Sequence, residues 1–328
     1  MINDLRFEFP DELFEEDEFN RLVSFSKCLA ADTPDFDGST LGDPTSCQNL
    51  PQTFGCYELI RLLEKGRVGT TYLAQDVESS TEFAVTKIYR SLVKRMGSEW
   101  ITKRLEHLHR DSMAANAIFA DYVTPISKVG EIDGEYFFST RYISGKSLGK
   151  VINSNTITNR QAALTAKAIA ESIHQLHKVG IFHRDLEPAN IMLDSDSIPH
   201  ILPGITLLQA ENEGAEETPN SFQAPEVTNR SGVNAAAEIW SIGAILYNCL
   251  VGEPPAKASV IPPRKRNTKV ARDLETICLK CLHKQPRRRY SDAAALADDL
   301  DLFLEYQPIN ASPAGLIGNL INKLAKMG

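Results

Sequence analysis

The spacing of apolar residues changes once along this chain of 328 residues, and that change fixes the kind of fold. Up to about residue 143 the apolar residues come in short β-branched and aromatic runs. "YELIRLLEKG", "GTTYLAQDV" and "TEFAVTKIY" are separated by turn residues. "YVTPISKVGEIDGEYFFSTRYI" reads as two further strands joined at Asp133-Gly134. One helix-like stretch, around residues 98–118, interrupts them. Past Gly145 the period becomes helical. Thr158 and Gln161 form a capping box, and Leu164, Ala168, Ile169, Ile173 and Leu176 recur on one face behind it. "EIWSIGAILYNCLVG" and "DAAALADDLDLFLEY" are two more helices, the second with Ser291 as its N-cap. A strand-rich part followed by a helix-rich part predicts an α+β protein of two lobes, about 57–143 and 144–306.

The flanks read differently. Residues 1–20 hold eight acids and one base, interleaved with Phe7, Phe9, Phe14 and Phe19, and residues 31–56 are rich in Asp, Pro, Gly, Ser and Thr. The expectation is an acidic tail over 1–56, open to docking on a partner or acting only as a solubiliser. The net charge of −8 falls mostly in this tail, so the rest is near neutral and nucleic-acid binding is disfavoured. The basic clusters Arg264-Lys265-Arg266 and Arg287-Arg288-Arg289 read as solvated loop and structural ion pairs. No apolar run reaches a membrane span, and the acidic start is unlike a secretory signal. Six cysteines in such a chain fit a reduced, cytoplasmic setting. Cys278 and Cys281 sit in an apolar helical stretch and read as buried thiols, with a metal or redox role as the alternative. Over residues 307–328, Leu316, Ile317, Leu320, Ile321 and Leu324 make an amphipathic stripe. It could dock on the domain, on a partner or on a membrane surface.

Residues 181–194, "IFHRDLEPANIMLD", carry the most specific signal. With the residues around them they resemble the catalytic loop of bacterial Hanks-type serine/threonine protein kinases. The resemblance extends over residues 57–306 and implies the bilobal protein-kinase fold. It likens Gly66-Arg67-Val68-Gly69 to the glycine turn over the phosphates, and Lys87 to the phosphate-binding lysine. Thr140 and Tyr142 would also be cofactor-binding. Asp185 would be the base position and Asn190 a metal ligand, with ATP and Mg²⁺ or Mn²⁺ as family cofactors. Ala224-Pro225-Glu226 resembles the end of the activation segment, and Arg289 would pair with Glu226. Phosphoryl transfer depends on positioning and charge neutralisation, which is why these residue types recur.

Several positions depart from that pattern. Pro203-Gly204-Ile205 stands where the family has Asp-Phe-Gly, and no acid lies between Asp196 and Glu211. The principal metal carboxylate is therefore missing. Glu187 replaces a lysine that touches the transferring phosphate, a change of two charge units. At about 5 Å and an effective dielectric near 20, each unit is worth roughly 3 kcal/mol. The penalty then exceeds about a thousandfold. Glu187 could instead ligate a metal. Glu64 replaces the first glycine of the turn, Val85 is read at the alanine beside the adenine, and Thr71 replaces the opposite valine. Asp111 is the expected partner of Lys87, with Glu106 as competitor. Glutamates at 211, 213, 216 and 217 could pair with Arg184.

His174 and His177 are expected to bind no metal, and His183 to be a packing residue of the loop. The functional expectation is a pseudokinase: a binding or scaffold module for another kinase or signalling protein. The alternative is a slow ATP-dependent serine/threonine kinase using Lys87, Asp185 and Asn190.

Overall fold

A computed structural model describes residues 50–118, 123–154, 157–204, 221–227, 233–256 and 259–312, with the backbone alone over 114–118. The activation-segment glutamates and the amphipathic stripe at 316–324 lie outside the described residues.

The small lobe is a six-stranded antiparallel sheet in the order β1-β2-β3-β4-β6-β5. Its strands are β1 (Gln52–Phe54), β2 (Tyr57–Lys65), β3 (Gly69–Asp76), β4 (Glu82–Ile88), β5 (Ile126–Ile132) and β6 (Glu135–Arg141). β1 falls within the segment expected to be tail. Gly55, in the left-handed region at φ 58°, turns the chain so that Phe54 pairs with Tyr57. The Phe54 ring then packs edge-on against Phe137 with centroids 5.4 Å apart. The folded part thus begins ahead of Tyr57.

Side chains alternate across the sheet, so its two faces carry two separate cores. On one face Val68, Ile88, Ile126, Tyr136 and Phe138 pack with Leu92 of α1 (Arg90–Met96) and with Ile101, Leu105 and Leu108 of α2 (Ser98–Ile118). On the other, Tyr57, Leu59, Tyr72, Ala74, Val85 and Phe137 pack beneath Phe54.

The large lobe opens with a three-stranded sheet, β7 (Gly145–Ser147), β8 (Ile191–Asp194) and β9 (Pro199–Ile201). Its helices are α3 (Leu148–Asn153), α4 (Asn159–Lys178), α5 (Ala235–Val251), α6 (Pro263–Arg266), α7 (Arg272–Cys281) and α8 (Ala293–Leu304). The capping box at Thr158 and Gln161 is formed as the sequence predicts. α5 is buried along most of its length, as an all-round apolar helix must be. A Cβ on Gly243 would lie 2.3 Å from the Cys281 Cβ, so the missing side chain is what lets α5 and α7 approach. α8 is capped by Asp292, whose side chain accepts the Ala295 N–H, and not by Ser291. Its buried Asp299 takes the Tyr290 hydroxyl at 2.8 Å and the N–H groups of Asn310 and Ala311. Those bonds carry the packed chain beyond residue 306.

Cys278 and Cys281 are fully buried in this core. Among the described residues no group of three or more His, Cys, Asp or Glu side chains could hold a metal. Burial pushes the Cys249 thiol up to about 12 and raises Cys278 and Cys281 as well. Thiol titration with a disulfide reagent at pH 8 is therefore expected to leave these three untouched until denaturant is added. Rapid native labelling of any of them would contradict their placement.

Candidate active-site cleft

The loop after α4 is held from below. Glu238 of α5 is buried, and one of its oxygens accepts the Arg184 N–H at 2.6 Å. The other meets His177 Nε2 at 2.7 Å. This bond fixes Arg184 at φ 66°, an uncommon conformation for a residue with a side chain. His183 Nε2 donates to the Leu202 carbonyl at 2.6 Å, the packing role expected of it. Asp185 is buried, and the Asn190 side-chain amide donates to its carboxylate and to its carbonyl, both at 2.9 Å. The structure brings Asp185 and Asn190 together, as the resemblance implies.

Leu202 N–H is bonded to the Asn190 carbonyl, which sets Pro203 and Gly204 directly behind Asp185. Pro203 is buried there, at the position the resemblance likens to the family's metal carboxylate. A Cβ on Gly204 would lie 2.2 Å from the His183 carbonyl oxygen, so the backbone itself occupies the space beside the loop.

Across the cleft, β2 and β3 close through Gly66 to Gly69, with the Gly66 N–H donating to the Gly69 carbonyl at 2.9 Å. A Cβ on Gly69 would fall 2.1 Å from the Lys87 carbonyl oxygen, so this position needs glycine. Arg67 at the turn reaches Glu187 of the loop, Nη2 to Oε2 3.4 Å.

Lys87 does not face this arrangement. Thr86 pairs in register with Thr71 and with Phe138, on the face packed by α2. Lys87 pairs with Thr70 and Phe137 and points to the other face. There its Nζ forms an ion pair with Glu135, which also meets Arg90 at 3.5 Å, and sits 4.8 Å from the centre of the Phe54 ring. Asp111 and Glu106 lie on exposed positions of α2, on the far side of the sheet from Lys87. The expected Lys87–Asp111 pair is corrected accordingly, because strand alternation turns Lys87 away from α2. Val85 shares the face of Lys87. The small residue on the α2-packed face is Ala84, paired with Thr140, while the Thr71 and Thr86 hydroxyls bond at 2.8 Å. Thr140 is buried there, and Tyr142 is tied by its N–H to the Glu82 carbonyl and by its hydroxyl to Arg61.

Ala84, Thr86, Glu135 and Glu238 were not singled out by sequence reasoning. The signal for Thr86 was present. Placing the small Ala84 beside the adenine, in place of Val85, puts Thr86 and not Lys87 at the lysine position.

At the far end of the loop region, Arg289 Nη1 and Nη2 clasp the Glu226 carboxylate at 2.5 and 2.8 Å. This is the ion pair implied by the resemblance. A family model described as the protein kinase domain matches residues 57–300. The chain belongs to the protein kinase domain family. The kinase domain is 28% identical over 275 residues to serine/threonine-protein kinase PknB of Mycobacterium leprae, covering 78% of this chain and 44% of that protein. It is 26% identical over 264 residues to PknD of Mycobacterium tuberculosis, covering 74% and 39%. The chain thus spans less than half the length of these relatives. The PknI kinase domain of M. tuberculosis superposes with a TM-score of 0.63 at 19% identity, over 78% of this chain and 98% of that one. The kinase domain therefore has the bilobal α+β architecture expected from its sequence. Among the described residues no helix is long and apolar enough to cross a membrane.

Proposed function

We propose that this kinase domain is a pseudokinase: a cytoplasmic binding or scaffold module that presents kinase surfaces to another kinase or signalling protein. The observation that carries this reading is the placement of Thr86 on the α2-packed face and Lys87 on the reverse, engaged by Glu135. A lysine cannot neutralise the phosphates from the opposite side of the sheet. Pro203 in the metal-carboxylate position and Glu187 beside the phosphate path act in the same direction. The donors present do not fit a metal-bound nucleotide, so no transfer step is assigned to them. A slow kinase is favoured only by the Asp185–Asn190 contact, which the family's base and metal positions would also make.

The test is the thermal midpoint of the full chain with millimolar ATP, alone and with Mg²⁺ or Mn²⁺. A ligand at about 100 times its Kd adds roughly 2.7 kcal/mol, a shift of several degrees at this size. The expected result is no shift in the natural sequence, and a metal-dependent shift in the variant Thr86→Lys with Glu187→Lys and Pro203→Asp. A metal-dependent shift of the natural sequence that Lys87→Ala abolishes would reopen the kinase reading, which a phosphotransfer assay with Asp185→Asn as the blank then decides. Removing residues 1–49, which leaves β1 in place, then locates partner binding on the tail or on the lobes.

A further inference from the structure

Arg67 and Glu187 lie 120 positions apart and on opposite lobes, yet they meet across the mouth of the cleft. Each is set in place by its own backbone. Val68, next to Arg67, is buried against Ile88 and Leu92, and its carbonyl accepts the Tyr89 N–H at 3.0 Å. The tip of the glycine turn is thus pinned, and Arg67 is the residue left to project. Glu187 precedes Pro188 and holds the extended conformation, φ −149° and ψ 159°, that a following proline imposes. Its side chain is only 12% exposed, against 54% for Arg67. The Gly66 N–H, which could otherwise face an anion, is spent on Gly69 within the turn.

We infer that the Arg67–Glu187 pair is a latch between the lobes, in which the Glu187 carboxylate takes the place that a phosphate has beneath a glycine turn. This rests on the pseudokinase reading, since a bound nucleotide would compete for the same mouth. The chain carries its own anion and closes on it, so the cleft rim is biased toward closure without a ligand. A half-exposed pair of this kind is weak and screened by salt, so it biases closure by a small factor.

The test is hydrogen exchange of the full chain, read by mass spectrometry on peptides covering 64–70 and 183–190. Arg67→Glu and Glu187→Arg are each expected to speed exchange in both peptides by about two- to fivefold. The double variant, with the charges swapped, is expected to return both to natural rates, and 0.5 M NaCl to reproduce the single variants. Exchange within α5 serves as the control for intact folding. The latch is overturned if single reversals leave both peptides unchanged, or if the swap fails to restore them. A separate arm with MgATP isolates the underlying reading. Protection of 64–70 by MgATP in the natural sequence, together with phosphotransfer that Asp185→Asn abolishes, overturns the pseudokinase reading, while the charge swap alone decides the latch.

Discussion

Arg289→Ala is expected to lower stability by about 2–4 kcal/mol, because it removes a wholly buried guanidinium and its hydrogen bonds while the Glu226 left behind lies at the surface and can be solvated. The Arg289 side chain is wholly buried. Besides Glu226 it serves the carbonyls of His283 and Ala236, at 3.0 and 2.8 Å. Its loss leaves one carboxylate and two carbonyls without their donor. At about 2–4 °C per kcal/mol the thermal midpoint should fall by about 10 °C. Glu226→Ala should cost a similar amount, and the double variant little more than either single one, because the two residues act as a unit. A fall of only 1–2 °C for Arg289→Ala would contradict the buried clasp. The same pair sets a pH dependence. Burial works to raise the Glu226 carboxyl, but the Arg289 hydrogen bonds outweigh it and hold the group below its usual 4.5. A depressed carboxylate stabilises above its unfolded pKa, and that stability is lost as pH falls through the lower folded value. Urea midpoints should therefore drop below about pH 4.5, and Glu226→Gln should lack that component.

Glu238→Ala is expected to be comparably damaging and to act on the catalytic loop. Two groups would lose their acceptor, the Arg184 N–H and His177 Nε2. Each buried group left unsatisfied costs about 1–3 kcal/mol, and more when its partner was charged. The left-handed Arg184 conformation would lose its tether and the loop should relax. The expected result is a loss of about 3–5 kcal/mol in urea unfolding, with faster exchange over residues 181–190. Glu238→Gln keeps one acceptor oxygen and should fall about midway. Equal protection of the loop in Glu238→Ala would show that Glu238 does not hold it.

Much of this was legible in the sequence because the signals were redundant. The capping box at Thr158 and the Glu226–Arg289 pair each combine a residue type with a fixed spacing and stand as expected, and the catalytic-loop motif brings Asp185 against Asn190. What was not legible depended on direction. Gln52 to Phe54 is too short a run to announce a strand, and becomes one only because Phe54 can cover Phe137. The resemblance implies an acidic partner for Lys87 on the helix after β4, hence Asp111 or Glu106. The sheet's alternation sends Lys87 the other way, to Glu135 on a strand that follows later. Glu238 stands in an apolar helical run, where a carboxylate needs partners, but nothing in the sequence names Arg184 and His177 as those partners. The Arg67–Glu187 contact spans lobes, a distance that local patterning does not encode.

The two faces of β4 amount to two interleaved messages, and the second begins one letter after the first. Thr86 and Lys87 are neighbours, so exchanging their order would move an ammonium through the sheet without altering the composition of the chain. A motif search that counts letters scores both orders as retaining a lysine. The polypeptide does not, because pleating makes parity, rather than presence, the property that is inherited. For this strand the separation between a phosphate anchor and a structural ion pair is a single transposition.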